Sequence, residues 1–84
     1  MKFYYITFRS VTYAQRGEKL LNQKNIRCTL QRTPRWMEEK GCGYCLRLYA
    51  DRIGEIAALL RKNNVGYGKV YLLHPDGETE EIRV

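Results

Sequence analysis

The sequence has no apolar run approaching the ~20 residues that a membrane-crossing helix needs. Its opening stretch, Met1 to Arg9, holds one Lys and a short alternating run, without the longer apolar region and small-residue cleavage site of a secretory signal. Both absences lead to the expectation of a soluble, cytoplasmic protein. Histidine occurs once, at His74, so no Ser/His/Asp or Cys/His/Asn constellation takes shape around a catalytic imidazole. Cysteine occurs three times, an odd number. In a reducing compartment this argues against a structural disulfide framework and for reduced, reactive or metal-bound thiols. A structural zinc needs four ligands and the chain has one Cys-x-x-Cys, so no metal or other cofactor is expected unless two half-sites meet across a dimer. Acidic residues are outnumbered, nine against fifteen Lys and Arg, which leaves a net charge of +6.

What is present is an ordinary globular composition, 44% hydrophobic and 29% charged, in 84 residues. A chain of this length makes one domain with a small core, expected to span residues 1–84. The charge is uneven. Residues 1–50 hold ten Lys and Arg against three acidic residues, whereas residues 51–84 hold five against six. A basic half suits an anionic partner such as nucleic acid, an acidic protein or a phosphate-bearing ligand.

Along the chain, residues 3–8 are aromatic and β-branched and read as a central strand. Ser10 and Thr12 both offer helix starts, and Thr12 with Gln15 fits a capping box. Ala14, Gly17 or Glu18, and Leu21 recur at helical spacing to about Asn22–Asn25. Residues 26–31 alternate, with Ile26, Cys28 and Leu30 facing inward and Cys28 expected buried and inert. Thr33-Pro34 signals a short helix over residues 34–40, in which Trp36 and Met37 read as a lid on the core. Residues 46–50 alternate as a third strand. Asp51 is the expected N-cap of a helix through Lys62 with Ile53, Ile56, Ala57 and Leu60 on one face. Residues 70–73 form a fourth strand, Pro75-Asp76-Gly77 a turn, and residues 76–84 an edge strand or flexible tail.

The order βαββαβ predicts an α+β, ferredoxin-like fold: a four-stranded antiparallel sheet with two helices on one face. Its other face should carry Tyr and polar side chains and is a candidate surface for a partner or a second subunit.

The chemistry concentrates at Gly41-Cys42-Gly43-Tyr44-Cys45. Two thiols at this spacing can form a disulfide, share a metal, or pair a reactive sulfur with its resolving partner. Gly41 and Gly43 leave the backbone at Cys42 free to turn. Arg32, Arg35, Lys40 and Arg47 lie close in sequence, and positive charge favours the nucleophilic thiolate. Cys42 is therefore the candidate reactive sulfur and Cys45 the candidate resolving thiol, with Arg35, Lys40, Gly43 and Arg47 as the residues meeting a substrate. A thioredoxin-like site opens a helix, whereas this motif runs into a strand, which weighs against that chemistry.

Several stretches together resemble the small bacterial selenium/sulfur carrier-like family. They are Tyr4-Tyr5-Ile6-Thr7-Phe8 with Thr12, Ala14, Glu18 and Leu21; Thr33-Pro34-Arg35; Cys42-Gly43-Tyr44-Cys45-Leu46-Arg47; and Val65-Gly66-Tyr67. The resemblance implies a compact α/β domain that carries sulfur or selenium as a persulfide or selenide on the cysteine corresponding to Cys42, served by a donor or acceptor enzyme. Cys45 stands where the family usually has a small residue without a thiol, and Lys40-Gly41 where it has small hydroxyl residues. The second thiol adds disulfide exchange. The alternatives are an RNA-binding module, although no RNP1 pattern is present, and an oligomerising module that forms a homodimer through its sheet without covalent chemistry.

Overall fold

The computed structural model describes residues 2–34 and 43–84. Within them the chain runs β1 (Lys2–Thr7), α1 (Val11–Gln23), β2 (Cys28–Arg32), β3 (Tyr44–Ala50), α2 (Ile53–Lys62), β4 (Val70–Leu73) and β5 (Thr79–Ile82). The helix expected over residues 34–40, with Trp36 and Met37, falls almost wholly outside the described residues.

All strand pairs are antiparallel, in the order β2-β3-β1-β4-β5. Each helix joins two strands that have a third between them, so the two β-α-β units interlock. The general α+β expectation holds. The sheet, however, has five strands and not four: the segment after the Pro75-Asp76-Gly77 turn pairs along β4, Val70 opposite Ile82 and Leu73 opposite Thr79. His74 N–H donates to the Glu78 carbonyl (2.7 Å) and Glu78 N–H to the Asp76 carboxylate (2.9 Å), closing the turn. Beyond it, Tyr67 O–H donates to the Val84 carbonyl at 3.0 Å, which ties down the last residue.

The core follows from strand alternation. Tyr4 and Ile6 on β1, Leu46, Leu48 and Ala50 on β3, and Val70 and Leu72 on β4 are all buried. They join one cluster with Ala14 and Leu21 of α1 and Ile53, Ile56 and Leu60 of α2. Leu21, Leu46 and Leu60 are wholly excluded from solvent.

The helix ends use the same device twice. Asn25 (φ 61°) and Asn64 (φ 59°) take the left-handed conformation just after each helix. The next residues, Ile26 and Val65, donate their N–H groups back to Leu21 and Leu60 at 2.8 and 2.9 Å, and both side chains pack on the core. Of the two starts offered for α1 the structure uses one, whereas the start of α2 differs from the sequence reading. Ser10, and not Thr12, caps α1: its Oγ accepts the Tyr13 N–H at 3.2 Å. The N-cap position of α2 is Arg52, one residue beyond Asp51, with no side-chain cap; its guanidinium instead pairs with Glu55 at 3.2 Å.

Candidate thiol site and the outer sheet face

The connection that carries the motif leaves and rejoins the sheet at one end of the β2–β3 ladder. Thr33 N–H donates to the Gly43 carbonyl at 2.7 Å, and Arg32 stands opposite Tyr44. Gly43 has φ +79°, a conformation that favours glycine. The excursion between these pinned ends contains Arg35, Lys40 and Cys42, three of the sequence-derived site residues, and all three lie outside the described residues.

Cys45, the other thiol of the motif, is on β3. It shares a face with Arg47 and Tyr49, opposite to Leu46 and Leu48, as the alternation requires. Its neighbours across the strands are Gln31 and Thr7. It is wholly buried. Thr7 at this end is itself braced, its Oγ1 accepting Lys69 N–H at 2.8 Å.

Arg47 occupies the next row, between Thr29 and Tyr5. Its guanidinium carbon lies 4.5 Å above the centre of the Phe3 ring. Phe3 belongs to the row beyond, opposite Tyr49, so Arg47 leans away from Cys45 along the sheet. Among the described residues, Arg47 Nε is the buried side-chain polar atom that finds no hydrogen-bond partner. Phe3 and Tyr49 stack with centroids 4.5 Å apart and planes at 18°, and both remain exposed, at 38% and 48%. A groove of about 310 Å³ opens here, walled among others by Phe3, Arg27, Thr29, Arg47 and Tyr49. The sequence foretold an outer face rich in Tyr and polar groups. It did not single out Phe3 or Arg27, although Phe3 shares its strand parity with Tyr5.

Cys28, the third cysteine, faces the helices as expected but is half-buried, because β2 is a sheet edge and covers its own inner face incompletely. Its S–H points toward the Glu18 carbonyl (3.9 Å) and the Asn22 Oδ1 (4.0 Å). Burial, and secondarily the Glu18 carboxylate, push its thiol up from 9.0 to about 11. Cys28 is therefore expected to alkylate very slowly at pH 8, with a rate that climbs only as pH approaches 11. Peptide mapping after timed iodoacetamide labelling reads this out, and labelling at the rate of an ordinary thiol would refute it. The linkage has a definite sign. The unfolded thiol ionises near 9.0 while the folded one holds its proton, so the stabilisation is complete below pH 9 and is lost as pH rises from 9 through about 11.

Among the described residues no group of three or more His, Cys, Asp and Glu could hold a metal ion. No helix of the described residues is long and apolar enough to cross a membrane.

The described residues thus define a small α+β domain in which a glycine-flanked thiol segment is anchored at one end of the sheet. The chain belongs to the family described as "Putative Se/S carrier protein-like", whose pattern matches residues 3–72, from β1 nearly to the end of β4, and takes in Cys42 and Cys45. No curated protein matches the chain, and no solved structure does.

Proposed function

We propose that the protein carries a sulfur or selenium atom on Cys42 and that Cys45 resolves the loaded form, on an interlocked, ferredoxin-like scaffold extended by β5. The family match over residues 3–72 carries this reading. The other two cysteines support it by their placement. The Cys28 thiol is held protonated up to about pH 11, and Cys45 is wholly buried. Cys42 is left as the thiol for an incoming donor, one residue from the anchored Gly43 and flanked in sequence by Arg35 and Lys40, whose charge favours the thiolate.

The Cys42 thiolate attacks the terminal sulfur of a donor persulfide. The new S–S bond forms at Cys42, the donor's S–S bond breaks, and the donor leaves as its thiolate. An acceptor nucleophile can then take the terminal sulfur and release Cys42 as thiolate. Alternatively the Cys45 sulfur attacks Cys42 Sγ as its proton passes to the departing sulfur, forming a Cys42–Cys45 disulfide and releasing hydrogen sulfide. A thiol reductant must then restore both thiols. The partner on this reading is a chalcogen-donor or acceptor protein that docks on the basic half of the chain.

Incubation with a cysteine desulfurase and cysteine should add about +32 Da, one persulfide sulfur, to the Cys42 peptide. Cys42→Ser should abolish the adduct. Absence of loading under conditions that load a known carrier, or an adduct that persists in Cys42→Ser, would end the proposal.

A further inference from the structure

The outer face of the sheet carries features that sulfur transfer leaves unused. Three rows cross it. The first runs Gln31, Cys45, Thr7; the second Thr29, Arg47, Tyr5, Tyr71, Glu81; the third Tyr49, Phe3, Leu73, Thr79. Four aromatic rings, Phe3, Tyr5, Tyr49 and Tyr71, therefore sit side by side on three adjacent strands. The core lies on the opposite face, so this cluster, with Phe3 and Tyr49 exposed, is an aromatic patch on the surface of the sheet.

The electrostatics of the face are one-sided. Lys69 is answered by Glu81 at 3.8 Å. No ion pair among the described residues neutralises Arg27 or Arg47. Arg47 leaves a buried Nε–H without a partner, which is costly unless the residue is kept for something else. The guanidinium is spread over the Phe3 ring, and that ring is stacked in turn on Tyr49. The adjoining groove of about 310 Å³, lined also by Asn22, Cys28 and Leu48 at the β2 edge, is of the size that accepts a small flat ligand.

We propose that this face, centred on Phe3, Arg47 and Tyr49, binds single-stranded nucleic acid. Every nucleobase presents a π-face to exposed aromatic rings, whatever its sequence. The charges of Arg27 and Arg47, which no ion pair among the described residues answers, complement the phosphates that join successive bases, and the excess of cations in residues 1–50 attracts the polyanion from a distance. Thr29 and Gln31 offer hydrogen-bonding groups on the β2 side. An acidic protein would satisfy the arginines but would leave the stacked rings unexplained. The inference does not rest on the sulfur chemistry.

The test is fluorescence anisotropy of the full chain with labelled oligouridylate and oligothymidylate of about ten nucleotides, at low and moderate salt. Binding should weaken as salt rises. Tyr49→Ala and Phe3→Ala should each weaken it roughly tenfold, the range of one lost stacking contact. Arg47→Gln should weaken it and lower the salt slope by about one. Either truncation removes the Phe3–Tyr49 stack, so each should lower the thermal midpoint by a few degrees without unfolding the domain, which circular dichroism verifies before binding is compared. Cys42→Ser should bind as the parent chain does. Equal affinity for both oligomers supports base stacking with phosphate contact, and a preference for oligouridylate supports it with an added 2′-hydroxyl contact. Absence of binding at low salt would overturn the proposal. So would binding that is indifferent to Phe3→Ala and Tyr49→Ala, or equally tight binding of inorganic polyphosphate, since charge alone would then suffice. A dimer by size exclusion that Tyr49→Ala dissolves would assign the face to a second copy and overturn it as well.

Discussion

Leu46→Ala is expected to lower the unfolding free energy by about 3–5 kcal/mol, the upper part of the range for a leucine deleted from a closed core. Leu46 is wholly buried at the middle of β3, with Ile6 opposite it on one side and Leu30 on the other. Its Cδ1 reaches α1 closely enough that a Cβ added at Gly17 would lie 3.3 Å from it. Strands on both flanks and a helix above hold the site open, so little of the lost volume can collapse. A domain of this length has roughly 4–13 kcal/mol of stability in total, and the substitution removes a large part of it. Urea unfolding followed by circular dichroism measures the change. A loss under about 1 kcal/mol would mean that the space around Leu46 closes far more readily than its neighbours imply.

Cys45→Ser is expected to lengthen the life of the Cys42 persulfide and to bring hydrosulfide release down to the rate that solution thiols produce. A thiol fixed on β3 and walled off from solvent reacts poorly with external reagents, yet it needs only a thiol three residues away to come within bonding distance. Serine fits the same space without the second sulfur. Loading of Cys42 should survive the change, whereas the intramolecular disulfide should vanish. Time-resolved mass spectrometry of loaded protein, with a sulfide probe in the same sample, separates the two routes. Undiminished hydrosulfide release from Cys45→Ser would remove Cys45 from the mechanism and leave Cys42 as a one-thiol carrier.

Much of the fold could be read from periodicity. Residues 46–50 alternate and lie within β3, the apolar run 70–73 forms β4 with those bounds, and Ile53, Ile56, Ala57 and Leu60 face the core at helical spacing. The differences share a cause, which is that local patterns compete equally until distant packing chooses between them. Ser10 and Thr12 both satisfy the rules for a helix start. Phe8, only 2% exposed, anchors the chain in the core just before the turn, and Ser10 is then the residue placed to cap. Residues 79–82 offer one half-buried apolar side chain, Ile82, and so read as tail or edge; their place along β4 is decided by backbone pairing, to which side-chain pattern is nearly blind. Alternation assigned Cys28 to the inner face correctly, but it carries no information on distance from the sheet edge, and the edge leaves that thiol half-covered. At the candidate site, parity put Cys45, Arg47 and Tyr49 on one face. The lean of Arg47 toward Phe3 depends on β1 lying beside β3, a contact between residues more than forty positions apart.

The family pattern stops at residue 72, so β5 lies outside it. That strand ends the sheet with Glu80 and Glu81, held on one flank by His74 at 2.9 Å and Lys69 at 3.8 Å. Charged side chains along a sheet border disfavour edge-to-edge pairing with another chain. The added strand thus works as a fender: it covers the otherwise bare rim of β4, and its own rim resists zipping onto a copy of itself.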